Sequence, residues 1–150
     1  MTKLLDVKNL NVDFRTPLGR VHALRDINFS ITKGKIVGIV GESGSGKSTV
    51  IWTITQLLAQ NAIIKSGTAN FNGMDVLKAD KDTIRGIRGE KISMVFQDPM
   101  TSQAPVLTYG EQMNDIMYRK NKLSRQEKRE KAIAMMRRVG IPDPESRIDQ

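Results

Sequence analysis

Gly41-Glu42-Ser43-Gly44-Ser45-Gly46-Lys47-Ser48 is preceded by Ile36-Val37-Gly38-Ile39-Val40 and followed by Val50, Ile54, Leu57 and Leu58 at helical spacing. The short β-branched run, entered from Lys33-Gly34, has the pattern of a strand covered on both faces. No Gly or Pro interrupts residues 47–64, so the spacing predicts one helix over that range. Strand, glycine loop and helix in that order form the setting in which Gly-x4-Gly-Lys-Ser cradles phosphate.

Phosphate groups need several donors converging on a small region, and bulky side chains cannot supply them all. Gly41, Gly44 and Gly46 let the backbone curl, so that successive N–H groups point inward at a helix N-terminus. Ser43 and Ser45 complete the loop. Lys47 adds a full positive charge toward the β and γ phosphates, the Ser48 hydroxyl is a hard oxygen ligand for Mg²⁺, and Thr49 supports the α phosphate side. The pattern arises by chance in roughly one chain in two hundred of this length, and the flanking strand and helix make a mere glycine turn rarer still. The loop alone does not choose among kinases, GTPases, motor ATPases and transporter ATPases.

Upstream, Leu10, Val12 and Phe14 alternate with polar residues, as do Ile27, Phe29 and Ile31. Two half-buried strands are predicted, joined at the turn Thr16-Pro17-Leu18-Gly19. Downstream, Phe71-Asn72-Gly73-Met74-Asp75 reads as a strand ending in a turn. Lys91 to Gln97, with Ile92, Met94, Val95 and Phe96, reads as a second buried strand, broken by Asp98-Pro99. Glu111 to Arg119 and Ser124 to Val139 are predicted helices. The second opens with a Ser124/Glu127 capping box, carries Ala132, Ile133, Met136 and Val139 as an apolar stripe, and closes at Gly140. Pro142 and Pro144 forbid continuation of this helix, and residues 142–150 are expected to have no packing element of their own.

The 150 residues suffice for one core, with 39% hydrophobic residues. There is no cysteine and a single histidine, His22, so disulfides, thiolate metal sites and histidine clusters are excluded. The N-terminus lacks the apolar run of a signal peptide, and no stretch of 18 apolar residues occurs. The net charge is +8, with 14 Lys/Arg against 9 Asp/Glu up to residue 110 and 10 against 7 beyond it. The bases are interleaved with acids rather than clustered, so no nucleic acid is expected as a partner.

Three separated stretches give the chain a family resemblance. Gly38 to Ser48 is similar to the phosphate loop of ATP-binding cassette proteins, in particular the subunits that energise bacterial import of dipeptides and oligopeptides. Met94-Val95-Phe96-Gln97-Asp98-Pro99-Met100-Thr101-Ser102 resembles their Q-loop, and Val139-Gly140-Ile141-Pro142-Asp143-Pro144 the end of a helix in their helical subdomain. The implied fold is α/β: a P-loop NTPase core with an N-terminal antiparallel β-subdomain and the start of a helical subdomain, incomplete at the C-terminus. Residues 1–33, 34–97 and 98–150 would hold these three parts.

The resemblance also implies roles. The ligands would be ATP and Mg²⁺. Phe14 stands where the family places a ring against adenine, although it also reads as an ordinary core strand residue, and Val21 would pack beside the base. Gln97 would reach Mg²⁺ and the attacking water, with Lys47 as the other catalytic residue. Asp98 to Ile116 would face the transporter's membrane subunits, with Gln103-Ala104-Pro105 departing from the Leu-Asn-Pro common in relatives. A second ATP-binding subunit would complete the site, on the cytoplasmic face of the membrane.

Relatives continue into a Leu-Ser-Gly-Gly signature, an apolar strand ending in the Mg²⁺-linked Asp, a catalytic Glu and a switch His, none of which occurs in these 150 residues. Glu111, Glu127 and Glu130 lie in predicted helices away from the loop, and His22 precedes it. Phosphoryl transfer to water needs a positioned nucleophile as well as a phosphate cradle. Three readings follow: an importer's ATP-binding subunit, a nucleotide-binding fragment without turnover by itself, and a soluble cassette ATPase.

Overall fold

The computed structural model of the chain describes residues 2–98, 103–118 and 123–150. Pro99 to Ser102 of the Q-loop-like stretch and the predicted helix end at Arg119 lie outside the described residues. The chain divides into two units, Met1–Met94 and Val95–Gln150.

The first unit is built on a sheet of β1 (Lys3–Thr16), β2 (Gly19–Thr32), β3 (Ala62–Phe71) and β4 (Met74–Asp75) in the order β2-β1-β3-β4. Every neighbouring pair is antiparallel. The predicted hairpin is present: Thr16 pairs with Gly19, which has φ 124°, and the Thr16 hydroxyl donates to the Gly19 carbonyl at 2.9 Å. Asn72 and Gly73, both at positive φ, turn β3 into β4.

One face of this sheet makes the core. Leu5, Val7, Leu10 and Val12 of β1 pack with Leu24, Ala69 and Phe71, with Val50 and Ile54 of α1 (Lys47–Ile54), and with Ile84 and Ile87 of α2 (Lys81–Ile87). Burying each large aliphatic side chain contributes about 1.5–3 kcal/mol. Bulges interrupt the β1 ladders, with Asn9 and Asp26 at positive φ. There, Asn9 Nδ2 donates to Asp26 Oδ1 at 2.8 Å, and the Asp26 amide donates to Asn11 Oδ1 at 3.0 Å.

Three expectations for residues up to 97 are corrected. Residues 36–40 form no strand: Ile36 and Val40 are fully or almost fully exposed. A strand covered on both faces needs ladder partners, and none of the described residues pairs with this run. The same holds for residues 91–97, where a single parallel bridge, Arg88 to Ile92, is formed and Val95 and Phe96 are exposed. The helix predicted over 47–64 ends at Ile54. Gln56 has φ 51° and its side-chain amide donates to the Val76 and Ala79 carbonyls at 2.6 and 3.1 Å, while Ala62, Ile63 and Ile64 pair with Phe14, Asp13 and Val12 of β1. Tertiary partners thus override an uninterrupted helical spacing.

The second unit contains α3 (Tyr109–Tyr118), α4 (Arg125–Arg138) and α5 (Pro144–Arg147). Both long helices begin with reciprocal caps. Glu111 accepts from the Thr108 amide at 2.9 Å while the Glu111 amide donates to Thr108 Oγ1 at 3.1 Å, and Ser124 and Glu127 do the same for α4. α4 ends before Pro142 as expected, but the expectation that the tail lacks a packing element is corrected: Pro144 opens α5, since proline lacks only an N–H that the first turn does not use. Ile148 beyond it is buried against Ala132 and Met136, and Arg129 pairs with Asp149 at 2.5 Å.

Candidate functional site

The loop before α1 turns twice through the left-handed region, at Gly44 (φ 78°) and Gly46 (φ 93°). Gly46 is also the N-cap of α1, and a Cβ there would lie 2.9 Å from both the Ala23 carbonyl oxygen and Leu24 Cδ2. Only glycine combines that φ with so close an approach to β2. The helix therefore starts directly against the sheet. No side chain caps it and its first turn holds no acidic residue, so its leading N–H groups and positive dipole end are free for an anion.

Lys47 gathers the loop. Its Nζ donates to the carbonyl oxygens of Gly41 at 2.9 Å and Glu42 at 2.6 Å, and reaches Ser45 Oγ at 3.5 Å. The Ser45 amide donates to the Glu42 carbonyl at 3.2 Å, and a Cβ on Gly41 would meet Ser45 Oγ at 2.9 Å. The ammonium is thus held by neutral carbonyl dipoles, which a phosphate oxygen with full negative charge outcompetes.

A cavity of about 280 Å³ opens beside the loop. Val21, His22 and Ala23 of β2 form one wall, and Gly44, Gly46 and the first turn Lys47, Ser48 and Thr49 form the other. Gly41 and Ser45 reach this site through Lys47 rather than by lining it, and Ser43 is exposed in the turn. Phe14 pairs with Val21 across β1 and β2 but packs, half-buried, against the core and is not part of the wall. Gln97 is exposed in the second unit. The Ser48 hydroxyl in the wall has the donor chemistry that Mg²⁺ requires, so the residues present fit a phosphate–metal pair.

Sequence reasoning missed His22 and Ala23. His22 is fixed by a carboxylate: its Nδ1 lies 2.7 Å from Asp13 Oδ1, and Asp13 is almost wholly buried. The available signal was the strand pattern, because two strands joined by the turn at 16–19 place residue 13 opposite residue 22.

An antiparallel sheet beside a glycine loop that feeds a helix defines a nucleotide-binding cassette. The sequence profile of the ABC transporter family matches residues 24–150, and the chain belongs to that family. It is 38% identical over its full length to the oligopeptide transport ATP-binding protein OppD of Bacillus subtilis, and 43% identical over 98% of its length to the dipeptide transport ATP-binding protein DppD of Lactococcus lactis. It spans 42% of the length of each of these relatives. Among solved structures, a dimeric bacterial ABC transporter cassette superposes with a TM-score of 0.82 at 25% identity, over 97% of this chain and 60% of that one. The cassette fold and the nucleotide-binding class are thereby established.

Proposed function

We propose that the chain belongs to an ATP-binding subunit that energises import of dipeptides or oligopeptides. The observation that carries this is the gathering of the Gly41, Glu42 and Ser45 oxygens by Lys47 at the open start of α1. The likeness to peptide-transport ATP-binding proteins supports the substrate class.

In this reading ATP lies with its phosphates over Gly41 to Thr49. The helix N-terminus and the Lys47 ammonium neutralise their charge. Ser48 would hold Mg²⁺, which screens the phosphate oxygens when bound. Val21 would contribute apolar surface for the base, backed by its β1 partner Phe14. Residues 1–33, 34–97 and 98–150 would serve as β-subdomain, phosphate-loop core and the start of the helical subdomain. Partners would be the transporter's membrane subunits and a second ATP-binding subunit, on the cytoplasmic face of the membrane. Among the described residues no helix is long and apolar enough to cross a membrane.

Equilibrium binding of ATP tests the site. Lys47→Ala is expected to weaken binding about tenfold or more, the value of a charge-assisted contact. Unchanged affinity would overturn the assignment. Peptide uptake by the subunit assembled with its membrane partners should be lost in the same variant, and uptake that persists would exclude the transport reading.

A further inference from the structure

We infer that the β1–β2 hairpin contacts a membrane surface: its tip, Pro17-Leu18, enters the interface of a bilayer rich in anionic lipid, and the cations behind the tip hold the lipid phosphates.

The tip supplies the apolar half of the argument. Leu18 is fully exposed and Pro17 beside it is exposed too. The turn that presents them is pinned, since Thr16 pairs with Gly19 and its hydroxyl donates to the Gly19 carbonyl at 2.9 Å. A single exposed leucine is ordinary on a protein surface; this one stands out because of its neighbours.

Directly behind the tip, Arg15 and Arg20 oppose each other across β1 and β2. Like charges in that register repel. Strand alternation puts both on the face that carries Asp13 and His22, away from Val12, Phe14 and Leu24, which pack with α1 in the core. Farther along the same face, Arg25 and Lys65 line an open trough of about 590 Å³. Among the described residues none of these four cations forms an ion pair. Asp13 is the one acid in residues 11–16, 19–25 and 61–66, and it is almost wholly buried with its Oδ1 2.7 Å from His22 Nδ1. Asp26, next along β2, accepts from the Asn9 and Asn28 amides. Bases that are dispersed along the sequence are thus gathered by three strands onto one face with no exposed carboxylate to offset them.

An anionic bilayer answers both halves at once. Its phosphates suit the guanidinium forks, and the boundary between headgroups and acyl chains takes up Leu18. Tilted onto this face, the hairpin brings Arg25 and Lys65 to the headgroups behind Arg15 and Arg20. A soluble phosphate or a nucleic acid would satisfy the cations but leave Leu18 in water.

Co-sedimentation of the whole chain with vesicles tests the inference. Binding is expected to vesicles of phosphatidylcholine and phosphatidylglycerol in equal parts, and far more weakly to phosphatidylcholine alone. Arg15→Gln with Arg20→Gln should weaken binding about twentyfold, which is about fivefold for each charge removed near such a surface. Leu18→Ser should weaken it about tenfold, as for one leucine withdrawn from an apolar phase. Lys33→Gln with Lys35→Gln removes the same charge just beyond the other end of β2 and should change binding less than about twofold. All substituted residues are exposed, and thermal midpoints close to that of the unaltered chain would show that the variants fold. Equal binding to both vesicles, no binding to either, equal losses in the two double variants, or indifference to Leu18→Ser would overturn the inference. So would displacement from the vesicles by glycerol phosphate or by a single-stranded oligonucleotide, which would assign the face to a soluble phosphate or to nucleic acid instead.

Discussion

Arg88 closes the C-terminus of the helix that carries Lys47: its Nε donates to the Thr55 carbonyl at 2.8 Å, and its Nη2 donates to the Gln56 carbonyl at 2.6 Å. The last carbonyls of a helix have no partner within it, and a guanidinium both bonds them and complements the negative dipole end.

Arg88→Leu should therefore destabilise the chain by about 1–2 kcal/mol, since it strands two carbonyls. The control is Arg85→Leu, which removes an exposed contact with Asp82 and should cost below about 0.5 kcal/mol. Urea denaturation midpoints of the two variants would separate these costs, and equal midpoints would dismiss Arg88 as a cap.

Gly67 occupies the other place where backbone geometry is decisive. At φ 108°, a Cβ would stand 2.5 Å from Leu10 Cα and 2.7 Å from the Asn9 carbonyl oxygen, within the bulge of β1. Gly73, at φ 88°, has open space around it. Gly73→Ala should cost about 1 kcal/mol from strain alone. Gly67→Ala should exceed it by about 2 kcal/mol or more, because backbone cannot move aside. A thermal shift of similar size in both variants would refute the packing argument.

The acid limb of stability should depend on Asp80, the N-cap of α2. Hydrogen bonds from Thr83, through its backbone and then its hydroxyl, hold the Asp80 carboxyl below its ordinary value of 3.8. A carboxyl lowered in the folded state contributes stability that is fully present above its unfolded value and is lost as pH falls through the folded one. Stability should thus fall below about pH 4. Asp80→Asn should flatten that acid limb, as read from unfolding midpoints between neutral and acid pH; an unaltered slope would count against the cap's role.

The local signals that were legible in the sequence concern the phosphate loop and the helix ends. Glycine spacing, Lys47 and Ser48 announce the loop because their requirements are local: positive φ, a bare backbone and one charge. The Ser124/Glu127 box and Gly140 mark the limits of α4 for the same reason, since a cap is satisfied within a few residues of itself. The hairpin of β1 and β2 was equally legible, as alternation and a turn specify it without distant partners.

What only the tertiary structure decided are the features whose partners are remote in the chain. The end of α1 is set by Arg88 and by Gln56 reaching Val76, contacts that no periodicity encodes. Ile36 to Val40 has the composition of a strand but no ladder among the described residues, because composition supplies burial preference and pairing requires a neighbour. The wall opposite Lys47 belongs to β2, brought there by packing of Gly46 on Ala23, so that wall entered the site through the fold and not through any motif.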